Sequence, residues 1–213
     1  MAAVPCRGSG PGCTVQVEIN RRDVPMVVDT GADITVLTKA GARRVGVRTD
    51  RDSPYIIVRG VAGQSVARLA RATVQVGAFE EEDVLIAVVD DMDLGGRAAG
   101  LLGMTFLERF RTRMSSQLEL EPIDANDREK KGGRGRTWWR LRFRQVDARL
   151  RAYESLLGRA KALDRQVEAQ FGTSASGDDL EDMMKRLRDF MEAEQTELRT
   201  QAARAAVPLE WRR

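Results

Sequence analysis

The chain has 213 residues, of which 42% are hydrophobic and 31% charged, with a formal net charge of +3. Histidine is absent, which excludes Ser–His and Cys–His catalysis and argues against a zinc site. Neither a metal nor an organic cofactor is expected. No run approaches the ~20 apolar residues of a membrane-spanning helix, and residues 1–12 lack the basic start and apolar core of a secretory signal. One large or two small soluble domains are expected.

In chain order, residues 1–13 are rich in glycine and proline and predict a flexible leader. Its two cysteines, Cys6 and Cys13, are either a disulfide pair or two free thiols. Residues 14–122 then follow a β pattern, in which alternating apolar and polar residues predict half-buried strands. These strands are expected at 14–19, 24–28, 55–59, 65–76, 84–89, 110–114 and 117–120. With a short helix capped by Thr38, the pattern predicts a closed, barrel-like β lobe.

Three segments of this lobe carry candidate chemistry. In Val27-Val28-Asp29-Thr30-Gly31-Ala32-Asp33, an apolar strand ends in a carboxylate followed by a hydroxyl, a glycine and a small residue. The glycine permits backbone conformations that other residues resist, and Thr30 can brace the turn through hydrogen bonds. Leu101-Leu102-Gly103 leads into a short helix, and Val61-Ala62-Gly63-Gln64 lies between the two segments as a candidate hairpin tip.

This order of segments resembles the single-lobed aspartic peptidases of the retroviral (retropepsin-like) type, and bacterial members more than viral ones. The resemblance covers residues 14–122. It implies a catalytic turn formed by Asp29, Thr30 and Gly31. It implies substrate contacts, some of them from a flap, at Ala32, Asp33, Ala62, Gly63 and Gln64. It also implies that Leu102 and Gly103 support the catalytic loop. Retroviral members place Arg and Asn after the last glycine, where this chain has Met104 and Thr105, so the viral arginine network is not expected.

Plainer interpretations of the same residues stay open. Asp29 would then be a turn carboxylate that caps backbone amides, Asp33 a solvated acid at a helix entry, and Gly63 an ordinary turn glycine. Peptide hydrolysis by the aspartic route needs two carboxylates that share one proton. Because the sequence holds a single Asp-Thr-Gly, the second carboxylate must be Asp29 of another copy, and a two-fold homodimer acting on a peptide or protein is predicted.

The rest of the chain has a different period. Residues 123–137 predict a basic, glycine-rich, solvated linker. Residues 138–207 predict an antiparallel helical hairpin, because apolar residues from Trp139 to Phe171 follow heptad-like spacing and a second stripe runs from Leu180 to Leu198. The hairpin would serve dimerisation or substrate docking.

Residues 128–151 hold ten basic and two acidic residues, together with Trp138 and Trp139. A solvated helix face explains this charge, and an anionic membrane surface or an acidic partner is the alternative. Nucleic acid is not expected, because no binding motif accompanies the charge. A lobe that binds peptide without cleaving it, or that acts as a scaffold through its helices, is the rival to peptidase activity. The resemblance and the paired cysteines favour the periplasm or cell envelope.

Overall fold

The computed structural model describes residues 2–7, 12–50, 52–60, 63–90, 92, 94, 96, 98–171 and 177–213. The chain divides into two compact units, Met1–Ala125 and Asn126–Arg213, which we call the lobe and the helical unit. Within the described residues, no helix combines the length and hydropathy needed to span a membrane.

Strands dominate the lobe. Their bounds are β1 Ala2–Pro5, β2 Thr14–Ile19, β3 Arg22–Val28, β4 Thr35–Thr38, β5 Tyr55–Gly60, β6 Gly63–Val76, β7 Phe79–Val89, β8 Gly100–Leu102, β9 Phe110–Met114 and β10 Gln117–Pro122. Two short helices accompany them, α1 Lys39–Arg44 and α2 Met104–Leu107. Thr38 caps α1, because its hydroxyl accepts the N–H of Gly41.

The main sheet closes into a barrel. Its strands follow the order β2-β3-β8-β4-β7-β6-β5, and β6 also pairs with β2 at Ile19↔Val74. Alternate residues of β2 point inwards, so that Val15, Val17 and Ile19 are fully buried in the core. The predicted barrel-like β lobe is confirmed, with β5 as an additional strand beyond the closed ring.

Three adjacent strands bring the candidate segments together. Strand β3 runs parallel to β8, with Val28 opposite Leu102, and β4 runs antiparallel to β8, with Leu37 opposite Gly100. Carboxyl ends of parallel neighbours lie at the same edge of a sheet. The residues that follow Val28 and Leu102 therefore meet at one end of the barrel.

The predicted flexible leader is wrong for the described part of residues 1–13. Strand β1 pairs with β10 from Ala2↔Leu120 to Pro5↔Gln117, and Val4 packs against the barrel core. Cys6 and Cys13 form a disulfide, which decides between the two alternatives. A glycine- and proline-rich composition marks turns, but it did not reveal a four-residue strand whose partner lies more than a hundred positions away.

The predicted linker at residues 123–137 also has defined structure. Strands β11 Lys130–Lys131 and β12 Arg134–Gly135 form a small hairpin, and Gly132 and Gly133 make its turn with φ of 56° and 78°. Asp127 then accepts the Thr137 backbone N–H at 2.6 Å and the Thr137 hydroxyl at 3.0 Å. Glycine and charged residues are shared by linkers and tight turns, so the composition alone did not separate them.

Two long helices make up most of the helical unit, α3 Arg136–Phe171 and α4 Gly177–Arg204, followed by a 3₁₀ turn at Leu209–Trp211. The predicted helical hairpin is confirmed. A cluster of buried side chains joins the start of α3 to the end of α4, namely Trp138, Trp139, Phe143, Val146, Leu198, Ala202, Val207 and Trp211. The predicted seam side chains beyond Tyr153 on α3 lie outside the described side chains.

Burial of the two tryptophans removes the basis of the predicted membrane contact. Trp138 and Trp139 belong to the core of the helical unit, and the Trp139 indole N–H donates to the Lys131 carbonyl at 3.0 Å. Part of the basic charge is also used internally, since Arg140 donates to the Glu210 carbonyl at 3.2 Å. An exposed basic remainder consists of Arg128, Lys130, Arg136, Arg144 and Arg151.

Candidate active site

Asp29 stands directly after β3, at the end of the barrel where β8 also ends. Its backbone N–H donates to the Leu102 carbonyl at 3.0 Å, which continues the β3–β8 ladder by one step. Its carboxylate oxygen Oδ1 accepts the Gly31 N–H at 2.9 Å, and the Ala32 N–H donates to the Asp29 carbonyl at 3.3 Å. These bonds fix the direction of a half-buried carboxylate at the barrel edge.

The turn after Asp29 faces outwards. Thr30, Gly31 and Asp33 are exposed, and Ala32 is half-buried. A Cβ atom built on Gly31 would lie 3.3 Å from Asp29 Oδ1, so a larger residue would press on the carboxylate. The turn thus combines a held carboxylate with small, accessible neighbours.

Four consecutive residues, which begin with the last residue of β8, hold the loop from Asp29 to Thr35. Leu102 accepts the Asp29 N–H, and the Met104 N–H donates to the Ala32 carbonyl at 2.8 Å. The Gly103 N–H donates to the Thr35 hydroxyl at 3.2 Å, and the Thr105 hydroxyl accepts the Thr35 N–H at 2.9 Å. The first candidate segment is therefore bonded to the second along its whole length.

Gly103 lies where no side chain fits. A Cβ atom at this position would lie 2.4 Å from the Ile34 carbonyl oxygen and 2.8 Å from that of Ala32. Real Cβ atoms do not approach backbone atoms so closely, and the neighbours are backbone atoms that cannot rotate away. The close approach of α2 to the Asp29 loop requires glycine here.

Thr35 and Thr105 are functional candidates that the sequence analysis missed. Both side chains are buried, with exposed fractions of 0% and 6%, and their hydroxyl oxygens lie 3.0 Å apart. Thr105 also donates to the Leu85 carbonyl at 2.8 Å. A hydroxyl inside the apolar run Ile34-Thr35-Val36-Leu37 was the available signal, because buried polar groups are hydrogen-bonded.

A second unpredicted contact lies behind α2. Arg109 donates to Glu81 at 2.7 Å, and both side chains are 1% exposed. The Arg109 side chain also donates to the Glu82 carbonyl at 3.2 Å, and the Arg109 backbone carbonyl accepts the Ile123 N–H at 3.2 Å. This buried ion pair joins β7 to the end of α2, so the short helix is anchored on both sides.

The candidate flap is the β5–β6 hairpin. Its strands pair up to Gly60↔Gly63 and Arg59↔Gln64, which places Gly63 at the start of β6. Ala62 lies outside the described residues, and so do the side chains of Gly63 and Gln64. Across the described part of the chain, no group of three or more His, Cys, Asp or Glu residues is placed to hold a metal ion.

Comparison with known proteins gives a family. Residues 15–109 match the family model described as gag-polyprotein putative aspartyl protease. The lobe is similar to retropepsin-like aspartic proteases, and the matched residues make up less than half of the chain. The match spans both candidate segments and confirms the resemblance drawn from the Asp-Thr-Gly-Ala sequence.

Two solved structures are similar to the lobe. One is a retropepsin-like aspartic protease from Rickettsia conorii, 24% identical, with a TM-score of 0.46, matched over 57% of this chain and 99% of that chain. The other is EIAV protease in complex with the inhibitor HBY-793, 24% identical, with a TM-score of 0.39, matched over 48% of this chain and 90% of that one. Neither TM-score carries an argument by itself. No curated protein matches the chain.

Proposed function

We propose that this protein is an aspartic endopeptidase in which the Asp29 carboxylates of two copies activate one water molecule. The observation that carries the proposal is the held carboxylate of Asp29, fixed by the Gly31 N–H at 2.9 Å on a turn of small, exposed residues. The family match of residues 15–109 supports the same chemistry.

The second carboxylate comes from a second copy of the chain. The sequence has one Asp-Thr-Gly, and the reaction needs two acids close enough to share a proton. A two-fold axis beside the turn would bring two copies of Asp29 face to face. Exposure of Thr30 and Gly31 leaves room for such an approach, and we assign Thr30 to bracing the paired turns.

The chemistry follows from one shared proton. The ionised carboxylate takes a proton from water while the water oxygen bonds to the scissile carbonyl carbon, and the protonated carboxyl gives its proton to the carbonyl oxygen. In the second step, the carboxyl that took the proton from water gives it to the leaving nitrogen, and the other carboxylate removes a proton from one gem-diol hydroxyl. The C–N bond then breaks, and the pair again holds one shared proton. Each carboxyl serves as acid and base in turn, so the two roles belong to the pair.

Substrate would lie extended beneath the β5–β6 hairpin. An extended peptide gains main-chain hydrogen bonds in the manner of an added strand, and a closing hairpin excludes water from the reaction. In this proposal Ala32, Asp33 and the hairpin residues Ala62, Gly63 and Gln64 contact the substrate. Leu102 and Gly103 support the catalytic turn from behind.

The deciding experiment compares wild type with Asp29→Asn on a mixed peptide library between pH 4 and 8. Wild type should cleave, most strongly on the acidic side of neutrality where the pair keeps its shared proton, and Asp29→Asn should lose roughly 10³-fold or more in kcat/KM. Asp23→Asn is the matched control, because it makes the same change at an exposed site at the other end of β3.

Two results would contradict the proposal. One is cleavage by Asp29→Asn at the wild-type rate, and the other is full activity of a strictly monomeric protein in sedimentation experiments. Silence of a wild type that is dimeric in solution would instead favour a lobe that binds peptide without cleaving it.

A further inference from the structure

Two buried hydroxyls behind the Asp29 turn, those of Thr35 and Thr105, belong to one chain of hydrogen bonds. Each threonine hydroxyl has a single proton. The Leu85 carbonyl only accepts, and it lies 2.8 Å from Thr105 Oγ1, so the Thr105 proton points there. The Thr35 hydroxyl oxygen lies 3.0 Å from Thr105 Oγ1, and the Thr35 hydroxyl also reaches the Gly103 carbonyl oxygen at 3.5 Å.

The same assignment accounts for the backbone donors. Thr105 Oγ1 accepts the Thr35 N–H at 2.9 Å. Thr35 Oγ1 in turn accepts the Gly103 N–H at 3.2 Å. The chain therefore runs from Gly103 through Thr35 and Thr105 to Leu85.

This chain ties three parts of the lobe to one atom. Thr35 ends the loop that begins at Asp29, Thr105 lies on α2, and Leu85 lies on β7. Strand β7 pairs with β6, which also pairs with β5, so β7 belongs to the same sheet as the candidate flap. Thr35 and Leu85 both contact the Thr105 hydroxyl, so this one atom on α2 links the loop to β7.

We infer that Thr105 is a positioning residue for Asp29, an inference that rests on the proposed peptidase function. Its hydroxyl fixes the end of the loop whose start carries the catalytic carboxylate, and Met104 next to it holds Ala32. Without that hydroxyl, the buried Thr35 N–H has lost its acceptor, and the loop can satisfy it only by moving. Small displacements of a reacting group cost rate more than they cost binding.

The test replaces Thr105 by valine, which keeps the shape and removes the hydroxyl. Thr105→Val should lower kcat by about 10- to 100-fold while KM stays within about twofold, because the loss is in placement of the carboxylate. Thr105→Ser restores the hydroxyl and should recover kcat to within about threefold of wild type.

Thr38→Val is the matched control for a merely structural effect. The Thr38 hydroxyl also accepts one backbone N–H, that of Gly41 at 3.0 Å, and donates to one carbonyl, that of Ala99 at 3.1 Å. It lies on the same strand as Thr35 but at the opposite end of β4. We expect Thr38→Val to lower the melting temperature and leave kcat unchanged.

Amide hydrogen exchange tests the same inference and does not require the protein to cleave a substrate. Exchange of the Gly31 and Met104 amides should be faster in Thr105→Val than in Thr38→Val or wild type. Equal exchange in the two valine variants would overturn the inference, and so would equal losses of kcat or a change confined to KM. If wild type cleaves nothing, the proposed function fails, and the exchange rates still decide whether Thr105 holds the turn.

Discussion

The lobe and the helical unit each bury a carboxylate against arginine, but the surroundings differ. In the lobe, Glu81 and Arg109 form an ion pair at 2.7 Å, and both side chains are sealed from solvent. In the helical unit, Glu194 on α4 accepts from two α3 residues, Arg142 at 3.3 Å and Arg149 at 2.5 Å. The Arg149 side chain is 21% exposed.

The difference shows what each pair does. Removing one member of a sealed pair leaves a buried charge without its counter-ion, whereas the surplus positive charge beside Glu194 reaches water through Arg149. The lobe pair anchors a short helix next to the active site. The Glu194 cluster fixes how α3 and α4 are aligned along their length, since its partners lie 52 and 45 positions away.

The largest expected effect is in the lobe. Glu81→Gln should cost about 3–5 kcal/mol in free energy of unfolding, because it removes the carboxylate that lies 2.7 Å from the buried Arg109 guanidinium. The double variant Glu81→Leu, Arg109→Met should cost less than the single one, since apolar replacement removes both charges. Urea denaturation measures both. A double variant less stable than Glu81→Gln would show that the pair itself, and not the stranded charge, dominates.

The disulfide gives the lobe a second constraint, and among the described residues the helical unit has no counterpart. Replacing Cys6 and Cys13 by serine should cost about 2–4 kcal/mol, since the crosslink restricts the unfolded chain. Wild type treated with a dithiol reductant should show the same loss. Unfolding of the helical unit, followed by far-ultraviolet circular dichroism, should be the same in this variant as in wild type. A loss of stability in the helical unit as large as that in the lobe would contradict the comparison.

Glu194→Gln should cost about 2 kcal/mol, less than Glu81→Gln, because a neutral amide keeps hydrogen bonds to the arginines and one of them is partly solvated. Thermal unfolding followed by circular dichroism measures the change. Glu197→Gln is the control, as it makes the same substitution at an exposed position on α4. A loss as large as that of Glu81→Gln would break the distinction between sealed and partly solvated pairs.

The smallest effect is expected at alkaline pH in the helical unit. Burial raises the pKa of Tyr153, whose hydroxyl donates to the Met184 carbonyl. Because the folded pKa is the higher one, the contribution of Tyr153 is fully present below about pH 10, the ordinary tyrosine value. It is lost as the pH rises through the folded pKa, where the unfolded state has already released its proton.

Tyr153→Phe should remove this part of the alkaline destabilisation. The difference in melting temperature between pH 9 and pH 11 should be smaller in the variant than in wild type, although the variant starts lower because it lacks the bond to Met184. Identical pH dependence in both proteins would show that Tyr153 does not titrate differently on folding.

Local patterns predicted the barrel and the turn that follows Val28. The alternation of apolar and polar residues in β2, the sequence around Asp29 and the fit of Gly31 to a tight turn all depend only on residues that are adjacent in sequence. The contacts that hold the turn are not local. Thr35 and Thr105 are separated by 70 positions and Glu81 and Arg109 by 28, and one sequence does not show which distant polar residues face each other.

The errors at the start of the lobe and at the start of the helical unit have the same origin. Strand β1 has only four residues, too few for a clear alternation, and its pairing with β10 depends on tertiary contact. The β11–β12 hairpin has two residues in each strand and a Gly-Gly turn, and its composition is that of a linker. Short elements take their structure from what they touch.

The pairing of β1 with β10 also sets an order of assembly during translation. The first strand of the lobe stays without its partner until the ribosome has released residues 117–120, because β10 is among the last lobe segments to be made. Long-range strand pairing is slow and leaves edges open in the meantime. The helical hairpin, built from neighbours in sequence, follows at once. A nascent chain stalled before Gln117 would therefore expose the unpaired edge of β1 to chaperones and proteases.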